Sequence, residues 1–217
     1  MEQMFTVHGG KWTGSVAVEA ALALLKLPYR LQDPPSLRDP AERARYAAIN
    51  PMEQLPALVL PSGELMTESA AILIWLVDSH PEGRLSPELG SPRRAAFLRW
   101  MTFVSAAIYS LYWIRDEPSR IAADVSHEAL IKSRTAERIA HCWSIMEAQL
   151  EPGPYLLGDD LSVLDLYVTV ISRWGPRRRR FYELAPRMGE VVRRVDSDAR
   201  LKALWDERFP FVEGWEG

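Results

Sequence analysis

The sequence predicts two folded parts: a mixed α/β domain over residues 1–80 and an all-helical domain over residues 93–217, joined by a linker over 81–92. Three observations predict this. Every strand-like run lies before residue 67, and the stretch from His80 to Pro92 is rich in Pro, Gly and Ser, the composition of a boundary between domains. Beyond that stretch no alternation of apolar and polar residues appears, only long helix-forming segments. Strands gathered ahead of helices argue for an α/β part and a separate α part.

Met4-Phe5-Thr6-Val7 is a short apolar run that stops at Gly9-Gly10, the pattern of a buried strand closed by a turn. Ser15 to Lys26 is rich in Ala and Leu without Gly or Pro and predicts a helix, which Pro28 ends. Tyr29-Arg30-Leu31 suffices for a second strand, so the chain opens as β-α-β with a parallel pair. Residues 33–40, DPPSLRDP, must be irregular, and Ala41 to Ala48 predicts a short helix closed by Asn50-Pro51. Ala57 to Leu60 and Leu65-Met66 flank Pro61-Ser62-Gly63-Glu64, a hairpin signal. Glu68 to Asp78 predicts an amphipathic helix with Ile72, Trp75 and Leu76 on one face.

In the second half, helices are expected over Arg93–Asp116, Asp124–Leu150 and Ser162 to about Trp174, then near Arg187–Val195 and Asp198–Arg208. Ser162-Val163-Leu164-Asp165 loosely fits a capping box, with Asp in place of the usual Glu, and Leu161 with Leu166 can staple the entry. The helix that follows, VLDLYVTVIS, is apolar on nearly every side and belongs inside its domain.

Composition narrows the function classes. Hydrophobic residues make up 47% of the 217 and charged residues 25%, an ordinary globular balance. The net charge of −3 gives no electrostatic case for nucleic acid. The only basic block, Arg177-Arg178-Arg179-Arg180, reads as a solvated loop or helix end. The single cysteine, Cys142, excludes an internal disulfide, a CxxC pair and a thiolate zinc site, and is compatible with a reducing compartment. The four histidines lack metal-ligand spacing, so no metal is expected. The N-terminal residues lack a signal-peptide pattern, and no apolar run approaches the ~18 residues of a membrane span. A cytoplasmic protein with no membrane or nucleic-acid partner is expected.

The most informative stretch is Asn50 to Leu76, NPMEQLPALVLPSGELMTESAAILIWL. Its pieces are N-P-x-x-Q-L-P-A-L, a hairpin, E-S-A-A-I at a helix start, and W-L further on. They resemble the glutathione-binding signature of the cytosolic glutathione transferases of bacterial type. LLGDDLSVLDLYV resembles the same family's C-terminal folding motif, so the likeness spans nearly the whole chain. The resemblance implies a thioredoxin-like, glutathione-binding first domain, an all-α second domain, glutathione as co-substrate, a homodimer and a role in detoxification.

Under that resemblance Pro56 matches a cis-proline, and Leu55 before it pairs backbone to backbone with the cysteinyl unit of glutathione. Alone, Leu55-Pro56 also reads as an ordinary trans bond entering a strand. Glu68 and Ser69 fall at a helix start, where free N–H groups and the dipole favour the α-carboxylate of the γ-glutamyl unit. Ser69 can donate to that carboxylate and Glu68 can accept from the ligand's ammonium. Plain capping by Thr67 or Glu68 is the alternative. Gln54 is a partner for the backbone or glycyl end. Glu53 departs from the family, where Gly or Lys is commoner, and an acid there repels the glycyl carboxylate.

Catalysis requires a donor facing the glutathione sulfur. A thiol with a pKa near ~8.5 must drop by about two units, roughly 2.7 kcal/mol, to be mostly thiolate at neutral pH. A hydroxyl hydrogen bond and the N-terminus of the first helix can supply this. The family's usual serine position falls on Trp12, which has no hydroxyl and is grouped with the substrate-facing residues. Thr13 is the first candidate donor and Ser15 the second; either can instead cap the helix. A small, apolar electrophile is expected between the domains against Tyr109, Tyr112, Trp113 and Arg115, with Tyr109 and Trp113 four residues apart on one face. Helix packing or a dimer interface accounts for that cluster equally well.

The leading reading is an enzyme that activates glutathione as a thiolate for attack on an electrophile. Glutathione-dependent disulfide or peroxide reduction is an alternative, and a transferase-like fold kept as a non-catalytic interaction module is another.

Overall fold

The structure, a computed structural model, describes residues 4–33, 39–175 and 177–216. The chain forms two compact units. One runs up to Leu85 and takes in Asp196–Phe211; the other holds Ser86–Val195 and the residues from Val212 on.

The first unit is built on β1 (Phe5–His8), α1 (Ser15–Leu24), β2 (Tyr29–Gln32), α2 (Pro40–Ala47), β3 (Ala57–Val59), β4 (Leu65–Met66) and α3 (Ser69–Ser79). The sheet order is β2-β1-β3-β4, with β1 parallel to β2 and antiparallel to β3, and β4 antiparallel to β3. Central β1 is buried throughout, as a strand covered on both faces must be. Phe5 meets Trp75 of α3 edge-on at 6.3 Å, whereas His8 faces Tyr46 of α2 at 6.1 Å. Residues three apart on a strand point to opposite faces, so α3 and α2 cover opposite sides of the sheet. α1 packs against α3, burying every residue from Ser15 to Leu22. The β3–β4 turn requires Gly63, whose φ of +90° an L side chain rarely adopts.

The second unit is helical: α4 (Pro92–Phe103), α5 (Ser110–Asp116), α6 (Val125–Gln149), α7 (Val163–Ile171), α8 (Arg177–Leu184) and α9 (Pro186–Asp196). Ser91 caps α4 by accepting from the Arg93 N–H, and Asp124 caps α6 through Ser126. The helix expected over Arg93–Asp116 is interrupted by a wide π turn at Val104–Tyr109. All nine residues of α7 are buried, and its capping box is formed. Asp165 accepts the backbone N–H of Ser162 at 2.8 Å and of Leu156 at 2.7 Å, together with the Ser162 hydroxyl at 2.7 Å. Among the described residues no helix is long and apolar enough to cross a membrane.

The basic block corrects one expectation. Arg177–Arg180 lies on α8, and while three of its arginines are exposed, Arg178 is fully buried. Helical periodicity turns one residue of the four inward, where its guanidinium donates to the Thr169 carbonyl at 2.8 Å and lies 5.5 Å from the Trp215 ring. The last helix, α10 (Lys202–Arg208), which the sequence reading assigns to the helical half, groups with the first unit. Leu201, Trp205 and Phe209 are buried around it, and Arg208 reaches Glu19 of α1.

Candidate functional site

Strand register brings three segments to one end of the sheet. His8, the last residue of β1, pairs with Ala57, the first of β3, and Met66, the last of β4, pairs with Leu58. The loop leaving β1, the Leu55-Pro56 entry to β3 and the Glu68-Ser69 start of α3 therefore share that end.

The loop leaving β1 is a hydroxyl-rich turn. Gly9 has no room for a side chain, since a Cβ there would lie 2.2 Å from the Ser15 Cβ. The Gly10 N–H faces both Thr13 Oγ1 at 3.3 Å and Ser15 Oγ at 3.1 Å. Thr13 donates to the Gly10 carbonyl at 2.8 Å and its oxygen lies 2.9 Å from Ser15 Oγ. The Ser15 N–H donates back to Thr13 Oγ1 at 3.3 Å, so the hydroxyl takes one of the first N–H groups of α1, which has Gly14 as its cap residue. Thr13 is half-buried; Ser15 is fully buried and its hydroxyl donates to Glu19 at 2.8 Å. Trp12 carries a left-handed φ of +65°, uncommon for a bulky side chain, held by its N–H on the Arg208 carbonyl and its ring 4.9 Å from Phe209.

The second segment is framed from α2. Tyr46 Oη and Asn50 Nδ2 both donate to the Gln54 carbonyl, at 2.9 and 2.8 Å. Burial pushes the Tyr46 phenol up to about 12, which keeps its proton in place for that bond. The Leu55-Pro56 peptide is cis. Gln54 and Leu55 are half-buried and Pro56 is buried. Glu53 is paired with Arg43, whose cation offsets the acid at this position.

Glu68 caps α3 with a φ of +65° and an exposed side chain, and its carbonyl accepts the Ile72 N–H at 2.9 Å. Ser69, the first helical residue, is buried. Beside this end of the sheet, His8 is buried, and desolvation followed by the Arg30 charge lowers its pKa, so the ring is neutral at pH 7.

The four residues proposed on the helical half separate. Tyr109 and Tyr112 both lie against Trp174, at 5.0 and 5.1 Å, and Tyr112 is buried. Burial pushes the Tyr112 phenol far above its usual range. Trp113, 41% exposed, meets the Arg120 guanidinium. Tyr109 closes the π turn, and the residue that follows it onto Trp174 is three further on, one step short of Trp113. Arg115 lies over Gly175, its Nη1 2.1 Å from where a Cβ would stand.

Several site-framing residues carried no role in the sequence reading. Asn50 and Tyr46 stand within or just before the quoted motif, but their shared acceptor is visible only in three dimensions. Glu19 and Arg208 are 189 residues apart and no local pattern links them.

Residues 15–79 match the family model described as the glutathione S-transferase N-terminal domain. The chain is 30% identical over 202 residues to the GST-like protein YncG of Escherichia coli (strain K12), covering 93% of this chain and 97% of the relative. It is also 30% identical to maleylacetoacetate isomerase of Dictyostelium discoideum, over 76% of this chain and 77% of that one. Among solved structures, a glutathione transferase homologue from Sulfitobacter with bound glutathione superimposes with a TM-score of 0.82 at 27% identity, covering 95% of this chain and 98% of the other. The matched segment carries the Leu55-Pro56 and Glu68-Ser69 pieces of the sheet-end site, and the chain belongs to the glutathione S-transferase family.

Proposed function

We propose that this glutathione transferase binds glutathione at the shared end of its sheet and activates the thiol with the Thr13 hydroxyl for attack on a small, apolar electrophile. The observation that carries the reading is the strand register, which supports bringing the Thr13 loop, Leu55-Pro56 and Glu68-Ser69 to bear on one ligand. Leu55 pairs with the cysteinyl backbone as an added strand. The N-terminus of α3 and the Ser69 hydroxyl take the γ-glutamyl carboxylate, and exposed Glu68 takes its ammonium. Gln54 meets the glycyl end, where Arg43 offsets the charge of Glu53.

Between the two hydroxyls the geometry favours Thr13. Ser15 is buried with its proton on Glu19, whereas Thr13 is half-buried and accepts N–H groups from Gly10 and Ser15, which polarise its O–H; on binding, that proton would turn from the Gly10 carbonyl to the sulfur. With the thiolate formed, its sulfur attacks the electrophilic carbon and the leaving group departs with the bonding pair; the thiol proton goes to solvent. The protein supplies binding and electrostatics, and glutathione the covalent chemistry. Trp12, exposed beside the Thr13 loop, is the aromatic surface proposed for the acceptor. A cytoplasmic homodimer with a detoxifying role completes the reading; a gel-filtration mass near the 24.7 kDa of one chain would contradict the dimer.

Thr13→Ala tests the donor role in conjugation of glutathione to an aromatic chloride. A hydrogen bond to a charged group contributes about 1.5–3 kcal/mol, so kcat is expected to fall by roughly 10- to 150-fold while the calorimetric Kd for glutathione changes little. Thr13→Ser is expected to retain most of the rate. Unchanged turnover in Thr13→Ala would remove the donor role from Thr13.

A further inference from the structure

Glu19 lies in the second turn of α1 and is wholly buried, a position that strongly disfavours a carboxylate unless it is paired and hydrogen-bonded. Its partner is Arg208, itself 3% exposed and 189 residues away. Arg208 Nε lies 2.8 Å from Oε2, off the line of a well-aligned hydrogen bond, and Nη2 lies 3.3 Å from Oε1. The Glu19 carboxylate also accepts the Ser15 hydroxyl, which donates to Oε1 at 2.8 Å. A carboxylate only accepts, and at 2.8 Å it outcompetes the Gly10 carbonyl, 3.3 Å from the same hydroxyl, so it holds the Ser15 proton. The Ser15 oxygen is then turned to the Gly10 N–H and to Thr13 Oγ1, 3.1 and 2.9 Å away.

Arg208 also grips the loop elsewhere. Its carbonyl accepts the Trp12 N–H at 3.2 Å, and the Phe209 ring next to it lies 4.9 Å from Trp12. Its Nη1 stands 3.6 Å from exposed Asp33. Trp12 and Ser15 bracket Thr13, and α10 holds both, one by its backbone and the other through Glu19. A buried ion pair is commonly replaceable by apolar residues without loss of stability. This pair differs in where it ends, on the hydroxyl that touches Thr13.

We propose that Glu19 and Arg208 are positioning residues of the thiol-activating loop, through which α10 sets how acidic the thiol of bound glutathione becomes. The proposal rests on the reading of Thr13 as thiol donor. With the pair intact, Ser15 is locked and the Thr13 oxygen is held in one place, within the tolerance of about 0.5 Å that such constellations need. Burial raises the Glu19 pKa even beside Arg208 and the Ser15 hydroxyl, with Glu207 adding to the rise. Removing the guanidinium takes away the opposing charge and pushes the carboxyl up further, which weakens its hold on the Ser15 proton.

The test follows the ultraviolet thiolate absorbance of bound glutathione against pH in wild type, Arg208→Gln, Glu19→Gln, Arg208→Lys and Thr13→Val. Calorimetric Kd, kcat, KM and melting temperature are measured alongside. Arg208→Gln and Glu19→Gln are expected to raise the bound thiol's apparent pKa by about one unit, a roughly tenfold loss of thiolate at pH values below it. The kcat should fall with it, KM for glutathione staying within about threefold, and Arg208→Lys should recover part of both. Variants that melt earlier while their bound thiol titrates as in wild type would reduce the pair to a structural role and overturn the proposal. Should Arg208→Gln not fold, Glu19→Leu/Arg208→Met, which leaves no stranded charge, carries the same readout. A raised thiol pKa in Thr13→Val alone would sink the positioning role and keep the donor; an unchanged one in Thr13→Val would sink the donor and with it the proposal.

Discussion

Asp165 illustrates how much one side chain can hold in this fold. It is wholly buried at the start of α7, yet it gathers three donors from Leu156 and Ser162. Burial outweighs those bonds and pushes its carboxyl up to about 6. Asp165→Ala strands two buried N–H groups, each at about 1–3 kcal/mol, so a loss of roughly 3 kcal/mol or more is expected in denaturant unfolding. The pH dependence has a definite sign. The folded carboxyl holds its proton more tightly than the unfolded one, so its contribution is full below the unfolded value of 3.8 and is lost as pH rises through about 6. Between pH 4 and about 6, wild type should therefore lose stability relative to Asp165→Asn, whose side chain does not titrate. Parallel melting-temperature profiles of the two proteins across that window would contradict this.

At the scale of elements, the loop leaving β1 decides whether the candidate site exists. Its geometry depends on Gly9, against which Ser15 sits with no space for a methyl group. Gly9→Ala must push α1 away from the sheet end or tilt Ser15. The expected destabilisation is about 1–3 kcal/mol, with a fall in glutathione turnover larger than the change in stability alone accounts for. Wild-type turnover with a matching melting temperature would show that the close approach is dispensable. The strands, α1, α3 and the α7 cap were legible in the sequence because each is specified locally, by apolar runs, Gly-Pro punctuation and a capping tetrad. What was not legible is non-local or a matter of phase. The π turn at Val104–Tyr109 leaves no mark in composition, and it is Tyr112, not Trp113, that joins Tyr109 on Trp174. Arg178 turns inward within a run whose charge alone suggests solvent. In the site, Leu55-Pro56 and Glu68-Ser69 were readable from a contiguous motif, whereas the supports of Gln54 and the Glu19–Arg208 pair needed the fold.

For the whole molecule, the sheet, α1, α2, α3 and α10 form one unit and α4 to α9 the other, and the residues proposed to bind and activate glutathione belong to the first. That unit holds the three parts proposed for thiol activation: a strand entry to pair with the ligand backbone, a helix N-terminus for its carboxylate, and a polarised hydroxyl. The central claim is that this end of the sheet binds reduced glutathione and lowers the pKa of its thiol. The measurement that tests it most directly is a calorimetric titration of the protein with reduced glutathione, followed by the ultraviolet thiolate signal of the complex at neutral pH. Saturable binding with a thiolate signal at pH 7, where free glutathione shows almost none, is the predicted result. Binding without that signal would contradict thiol activation by the Thr13 loop, and no binding at millimolar glutathione would contradict the site itself.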